Sequence, residues 1–91
     1  MIIRSQDKRI ITTDMNLYIE PIDNKAIGNV ACWIKNNEMG VLATYSLYEK
    51  AIKVLDMIQS AYNAIETMKI DKQAWRDNHY FEMPSDEEIE V

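Results

Sequence analysis

Apolar residues in the first half of the chain recur with a period of two, whereas after Ser46 they recur at spacings of three and four. The first rhythm is that of half-buried strands and the second that of an amphipathic helix. Ile2 to Ser5 and Arg9 to Thr12 are β-branched runs around the polar Gln6, Asp7 and Lys8, which is the arrangement of a hairpin. Leu17 to Ile22 sets Leu17 and Ile19 against Tyr18 and Glu20; Pro21 has no N–H for a ladder and suits an edge or a strand end. From Ala26 to Ile34, Val30, Cys32 and Ile34 fall on one face and Ala31 and Trp33 on the other, and Gly28 suggests a bulge. Lys35 to Glu38 reads as a polar turn, and Gly40 opens a further strand from Val41 to Tyr45.

Ser46 followed by Glu49 has the form of a capping box, in which the hydroxyl accepts from the amide three residues on and the carboxylate reaches back to the Ser46 amide. The helix that follows carries Ala51, Val54, Leu55, Ile58, Tyr62 and Ile65 as one stripe, opposite Lys53, Asp56, Gln59, Asn63 and Glu66, and should run to about Met68 or Lys72. His79 to Met83 looks extended, a short strand ahead of Pro84, and Ser85 with Glu88 imitates a second capping box in a segment too short and acidic for an isolated helix. The pattern therefore predicts one α+β domain over residues 1–91: strands over 1–45, a helix over 46–70, and a tail over 71–91 with a possible short strand. The expected fold is an antiparallel sheet of four or five strands packed against one long helix, with an extended acidic C-terminal tail.

Ninety-one residues fit one hydrophobic core, and a core this small leaves a thin stability margin unless self-association adds buried surface. Cys32 is the only cysteine and His79 the only histidine, so neither an intramolecular disulfide nor a closed zinc site is expected. No stretch approaches the roughly 20 apolar residues of a membrane span, and the expected location is the cytoplasm. The net charge of −5 falls wholly in the second half, and Glu82, Asp86, Glu87, Glu88 and Glu90 face no basic residue in the last ten positions. Such a field repels phosphate backbones, which argues against direct nucleic-acid binding, and attracts a basic protein surface instead.

Candidate chemistry is sparse. With glycines only at positions 28 and 40, the chain offers no loop able to close backbone amides around a phosphate. Cys32 and His79 are a conceivable nucleophile and base, but Cys32 sits at strand parity among apolar residues, where free cysteine behaves as a small buried hydrophobe. The terminal carboxylates are a solvated tail or a docking segment sooner than a catalytic pair, which needs rigid neighbours to separate the two pKa values. No catalytic residue, cofactor or metal is expected. Tyr18 and Trp33 are more telling, because a helix covering the Leu17, Ile19, Cys32 and Ile34 face leaves both rings on the far side, as an interface or a stacking surface, unless the register places them in the core. Met57, Ala61, Ala64 and Met68 line the helix flank as a partner surface or the margin of the core.

The opening Ile3-Arg4-Ser5-Gln6-Asp7-Lys8, the stretch from Tyr48 to Ile58 with Tyr62, and the ending from Met83 to Val91 together resemble a group of small uncharacterised proteins encoded in prophages of Firmicute bacteria. The resemblance brings no activity with it and does not extend to Trp75 or Arg76. It implies a setting, a phage gene product acting inside a bacterial cell, where a small protein works by occupying a site or sequestering a signal. Two mechanisms are then expected. In one, a homo-oligomer counters host defence by holding a nucleotide-derived immune signal, with Tyr18 or Trp33 stacking on the base and Arg4, Lys8 or Arg9 meeting phosphate. In the other, Glu82, Asp86, Glu87, Glu88 and Glu90 imitate nucleic acid and block a basic host nuclease. A third possibility is a minor structural or assembly protein of the virion.

Overall fold

The computed structural model describes residues 1–67 and 80–91, with side chains left undescribed at 65–67. It is an α+β arrangement of one long helix and two small sheets. In chain order the elements are β1 (Ile2–Arg4), β2 (Ile11–Thr12), β3 (Leu17–Pro21), β4 (Cys32–Asn36), β5 (Gly40–Tyr45), α1 (Tyr48–Thr67) and β6 (Tyr80–Glu82), with a 3-10 turn at Asp86–Glu88. His79, Trp75 and Arg76, and the expected helix residues beyond Thr67, lie outside the described residues.

The expected single sheet is divided in two. One sheet has the order β3-β4-β5, an antiparallel meander; the other has the order β2-β1-β6. The division has a direct cause. Strand β1 pairs antiparallel with β2 on one side and parallel with β6 on the other, so no edge of β1 remains for β5. The two sheets are joined instead through Gln6, whose backbone amide donates to the Leu42 carbonyl at 2.8 Å. Its side-chain amide meets both polar groups of Thr44, donating to the carbonyl at 3.1 Å and accepting from the N–H at 3.0 Å. One glutamine thus satisfies part of the β5 edge in place of a strand.

Alternation along β4 holds as expected: Cys32 and Ile34 are buried and Trp33 faces the other way, half-buried. Pro21 ends β3, an edge strand, where a missing N–H costs no ladder bond. Gly28 does not make a bulge; it lies in the loop ahead of β4 with φ 92°, and the irregularity falls between Ile34 and Lys35, so that Leu42 and Ala43 are both buried on β5.

The stripe on α1 packs over β3, β4 and β5, burying Ala51, Val54 and Ile58, while Lys53, Asp56 and Gln59 face outward. The core they form with Ile3, Cys32, Ile34, Leu42, Ala43 and Tyr45 is completed by Met83 and Ile89 from the last segment. The ending is therefore not an extended solvated tail. Met83 donates its N–H to the Arg4 carbonyl at 3.0 Å, and the Pro84 carbonyl accepts from the Tyr45 hydroxyl at 2.7 Å and the Gln6 amide at 3.1 Å. Packing of the apolar Met83 and Ile89 supplies the docking that the acidic segment lacks by itself.

The helix start is also built differently from the expected capping box. The same two amides are satisfied, but by distant side chains: Glu49 donates its N–H to Asn29 Oδ1 at 2.9 Å, and Ser46 donates its N–H to Asp86 Oδ1 at 2.7 Å. The Ser46 hydroxyl, rather than accepting from Glu49, donates to the Asp86 carboxylate. A negative carboxylate at this end also complements the helix dipole.

Candidate functional site

The meander has two faces, and α1 covers only one. On the other face the antiparallel register places Tyr18 opposite Lys35, Glu20 opposite Trp33, and Trp33 opposite Thr44. Tyr18 and Trp33 are thus diagonal neighbours on adjacent strands, each within reach of the other's partner. On the same face, the Lys35 ammonium lies 5.6 Å from the centroid of the Trp33 ring and 2.9 Å from Glu20 Oε2. Accepting that hydrogen bond, Glu20 holds the Lys35 ammonium protonated to a higher pH than an ordinary lysine. The result is a face of two rings that carries a Lys35–Glu20 ion pair, its ammonium against Trp33. Lys35 is absent from the residues singled out by sequence, yet its position two residues after Trp33 on an alternating strand was the available signal.

Arg4, Lys8 and Arg9 gather elsewhere, on the β1–β2 hairpin of the second sheet. Arg4 donates through Nε and Nη2 to the Lys8 carbonyl at 3.2 and 3.1 Å, which steadies a turn in which Lys8 adopts a left-handed φ of 69°. Lys8 forms an ion pair with Glu82, whose carboxyl is held below its ordinary range by that ammonium. The Arg9 side chain is exposed, and its amide donates to Asp7 Oδ1 at 3.0 Å. The five residues expected to share one ligand therefore form two groups, Tyr18 with Trp33 on the meander and Arg4, Lys8 and Arg9 on the hairpin.

The acidic residues also divide. Asp86 is occupied at the helix start, where the Ser46 N–H and hydroxyl and the Lys50 ammonium hold its carboxyl below the usual range against the opposing effect of partial burial. Glu82 is paired with Lys8. Glu88 accepts from the Ser85 hydroxyl at 3.1 Å, the Glu90 carbonyl accepts from Lys53, and Glu87, Glu88 and Glu90 are exposed.

Cys32 is fully buried, its thiol donates to the Val30 carbonyl at 3.2 Å, and burial pushes its pKa up, away from the thiolate a nucleophile needs. Among the described residues no group of three His, Cys, Asp or Glu side chains is placed to hold a metal ion, and no helix is long and apolar enough to cross a membrane. Between β3 and the flank of α1 lies an open groove of about 320 Å³ lined by Met15, Leu17, Leu55, Ile58, Gln59 and Tyr62. Compared with known proteins, the chain matches no family model, no curated protein and no solved structure.

Proposed function

We propose that this protein is a non-enzymatic phage accessory protein that counters host defence by sequestering a nucleotide-derived immune signal as a homo-oligomer. The observation that supports this reading is the meander face left uncovered by α1, which carries Tyr18 and Trp33 with the Lys35 ammonium against Trp33 and paired with Glu20. A nucleobase stacks on such rings, contributing about 1–3 kcal/mol per base, and its phosphates draw on cations nearby. Lys35 is the nearest of these, and of the hairpin group the exposed Arg9 serves from its own or a neighbouring copy, while Arg4 and Lys8 must first leave the Lys8 carbonyl and Glu82. A flat face covers one side of a ligand only, whereas firmly held small molecules have most of their surface buried, so a second copy completes the enclosure. The phage setting comes from the sequence resemblance.

Thermal-shift measurement against cyclic and linear nucleotides tests the reading. A ligand at a hundred times its Kd stabilises the folded state by about 2.7 kcal/mol, an upward shift of roughly 10 °C or more for a chain of this size. Trp33→Ala abolishes the shift while leaving the unliganded melting curve two-state. Absence of any shift across the nucleotide set overturns the proposal.

The alternative, an acidic imitation of nucleic acid, draws support from the exposed Glu87, Glu88 and Glu90. Glu82 and Asp86 weigh against it, because each is engaged within the chain.

A further inference from the structure

A second surface surrounds Tyr48 at the start of α1. The loop between Pro21 and Cys32 lifts Ile27 to 93% exposure, the highest of any large apolar side chain described. Beside it runs an apolar groove bordered by Ile27, Val30 and Tyr48, which continues around Tyr48 into another lined by Ile52 and Val91. Tyr48 and Val91 are themselves 41% and 55% exposed, so a projecting apolar knob and an apolar recess share one face. Burial of such surface is favourable in proportion to its area, and Ile27, Tyr48 and Val91 all keep much of theirs exposed.

Lys25, Glu49 and Lys53 flank this face, Lys53 with its ammonium donating to the Glu90 carbonyl. Lys25 lies on the knob loop and Glu49 on the rim of the groove, and neither side chain has an ion-pair partner among the described residues. Lys25 and Glu49 are opposite in sign. A surface that carries both a knob and its recess, and both members of an ion pair, is complementary to itself under a two-fold rotation. We infer that this face pairs with the same face of a second copy, each Ile27 entering the Tyr48, Ile52 and Val91 groove of the other and each Lys25 meeting the other copy's Glu49. The interface rests on its own residues, all distinct from Tyr18, Trp33 and Lys35, and leaves the meander face uncovered, so it goes beyond the sequestration reading and does not depend on it.

Sedimentation velocity on the full chain across a range of concentrations tests it. The expected species at high concentration has twice the mass of the chain. Ile27→Asp raises the dissociation constant about a hundredfold, because both knobs are lost at about tenfold or more each, and its melting curve stays cooperative because Ile27 lies outside the core. Lys25→Glu alone weakens the dimer, and combining it with Glu49→Lys restores it. A chain that stays monomeric, a dimer indifferent to Ile27→Asp, or a double variant as weak as the single one overturns the interface. Nucleotide-dependent thermal shifts are read separately, so an oligomer formed through another surface removes this inference and leaves the sequestration reading standing.

Discussion

Replacing Asp86 with alanine tests whether the acidic ending is a structural part of the domain. The carboxylate accepts from the Ser46 N–H at 2.7 Å, from the Ser46 hydroxyl at 2.9 Å and from the Lys50 ammonium at 3.3 Å. Loss of a helix-start cap costs about 1 kcal/mol, and bonds to a charged group are worth about 1.5–3 kcal/mol. Asp86 keeps 35% of its side chain exposed, so the ion pair with Lys50 is discounted for screening. The expected loss is about 2 kcal/mol, which lowers the melting temperature by roughly 8–16 °C in a chain of this length. Differential scanning calorimetry at pH 7 measures it, with Glu87→Ala, an exposed neighbour, as the control expected within about 0.5 kcal/mol of wild type. The pH dependence has a definite sign. A carboxyl whose folded pKa is depressed contributes its stability above its unfolded value of about 3.9 and loses it as pH falls through the lower folded value. The gap between wild type and Asp86→Ala therefore stays constant from pH 5 to 8 and closes below about pH 4. Equal melting temperatures for Asp86→Ala and Glu87→Ala at pH 7 would refute the capping role.

Two further substitutions probe the joints between elements. Tyr45→Phe removes the buried hydroxyl that donates to the Pro84 carbonyl and costs about 1 kcal/mol by urea denaturation, since Gln6 still donates to that carbonyl. In wild type the Tyr45 phenol is pushed above the ordinary tyrosine range, chiefly by burial and then by the Asp86 and Glu88 charges. An ultraviolet titration shows a tyrosine that ionises above the ordinary range, and the stability it contributes, complete below about pH 10, is lost as pH rises through the folded value. Asn36→Ala strips the side chain that donates to Thr12 Oγ1 and the Asp14 carbonyl and accepts from the Met39 N–H, all at 2.8–3.2 Å. With Asn36 only 1% exposed, the expected loss is about 2–3 kcal/mol in the same assay.

Much of the fold was legible because it depends on near neighbours. The α1 stripe needs only the spacing of Ala51, Val54 and Ile58, and the opposite facing of Cys32 and Trp33 only the alternation of a strand. The remainder depends on residues far apart in the chain. Whether Ser46 and Glu49 cap each other or are capped by Asp86 and Asn29 is decided by where the tail and the β3–β4 loop come to rest, which no local spacing encodes. The division into two sheets follows from the parallel seat of Tyr80–Glu82 beside β1, a pairing without any turn signal to announce it. Of the candidate site, Tyr18 and Trp33 were legible from parity. Lys35 was obscured because a polar Lys-Asn-Asn-Glu run resembles a turn, although β4 extends through Asn36.

The pairing of β1 with β6 also sets an order of events during synthesis. Ile3, wholly enclosed in the finished domain, lies on a strand whose parallel neighbour, Phe81, is made 78 residues later. At about 5–20 residues per second the ribosome takes roughly 4–16 s to deliver that neighbour. During this interval the nascent chain can coil its helix and close its hairpins, but the first strand waits half-paired, with its isoleucine open to chaperones or to other growing chains.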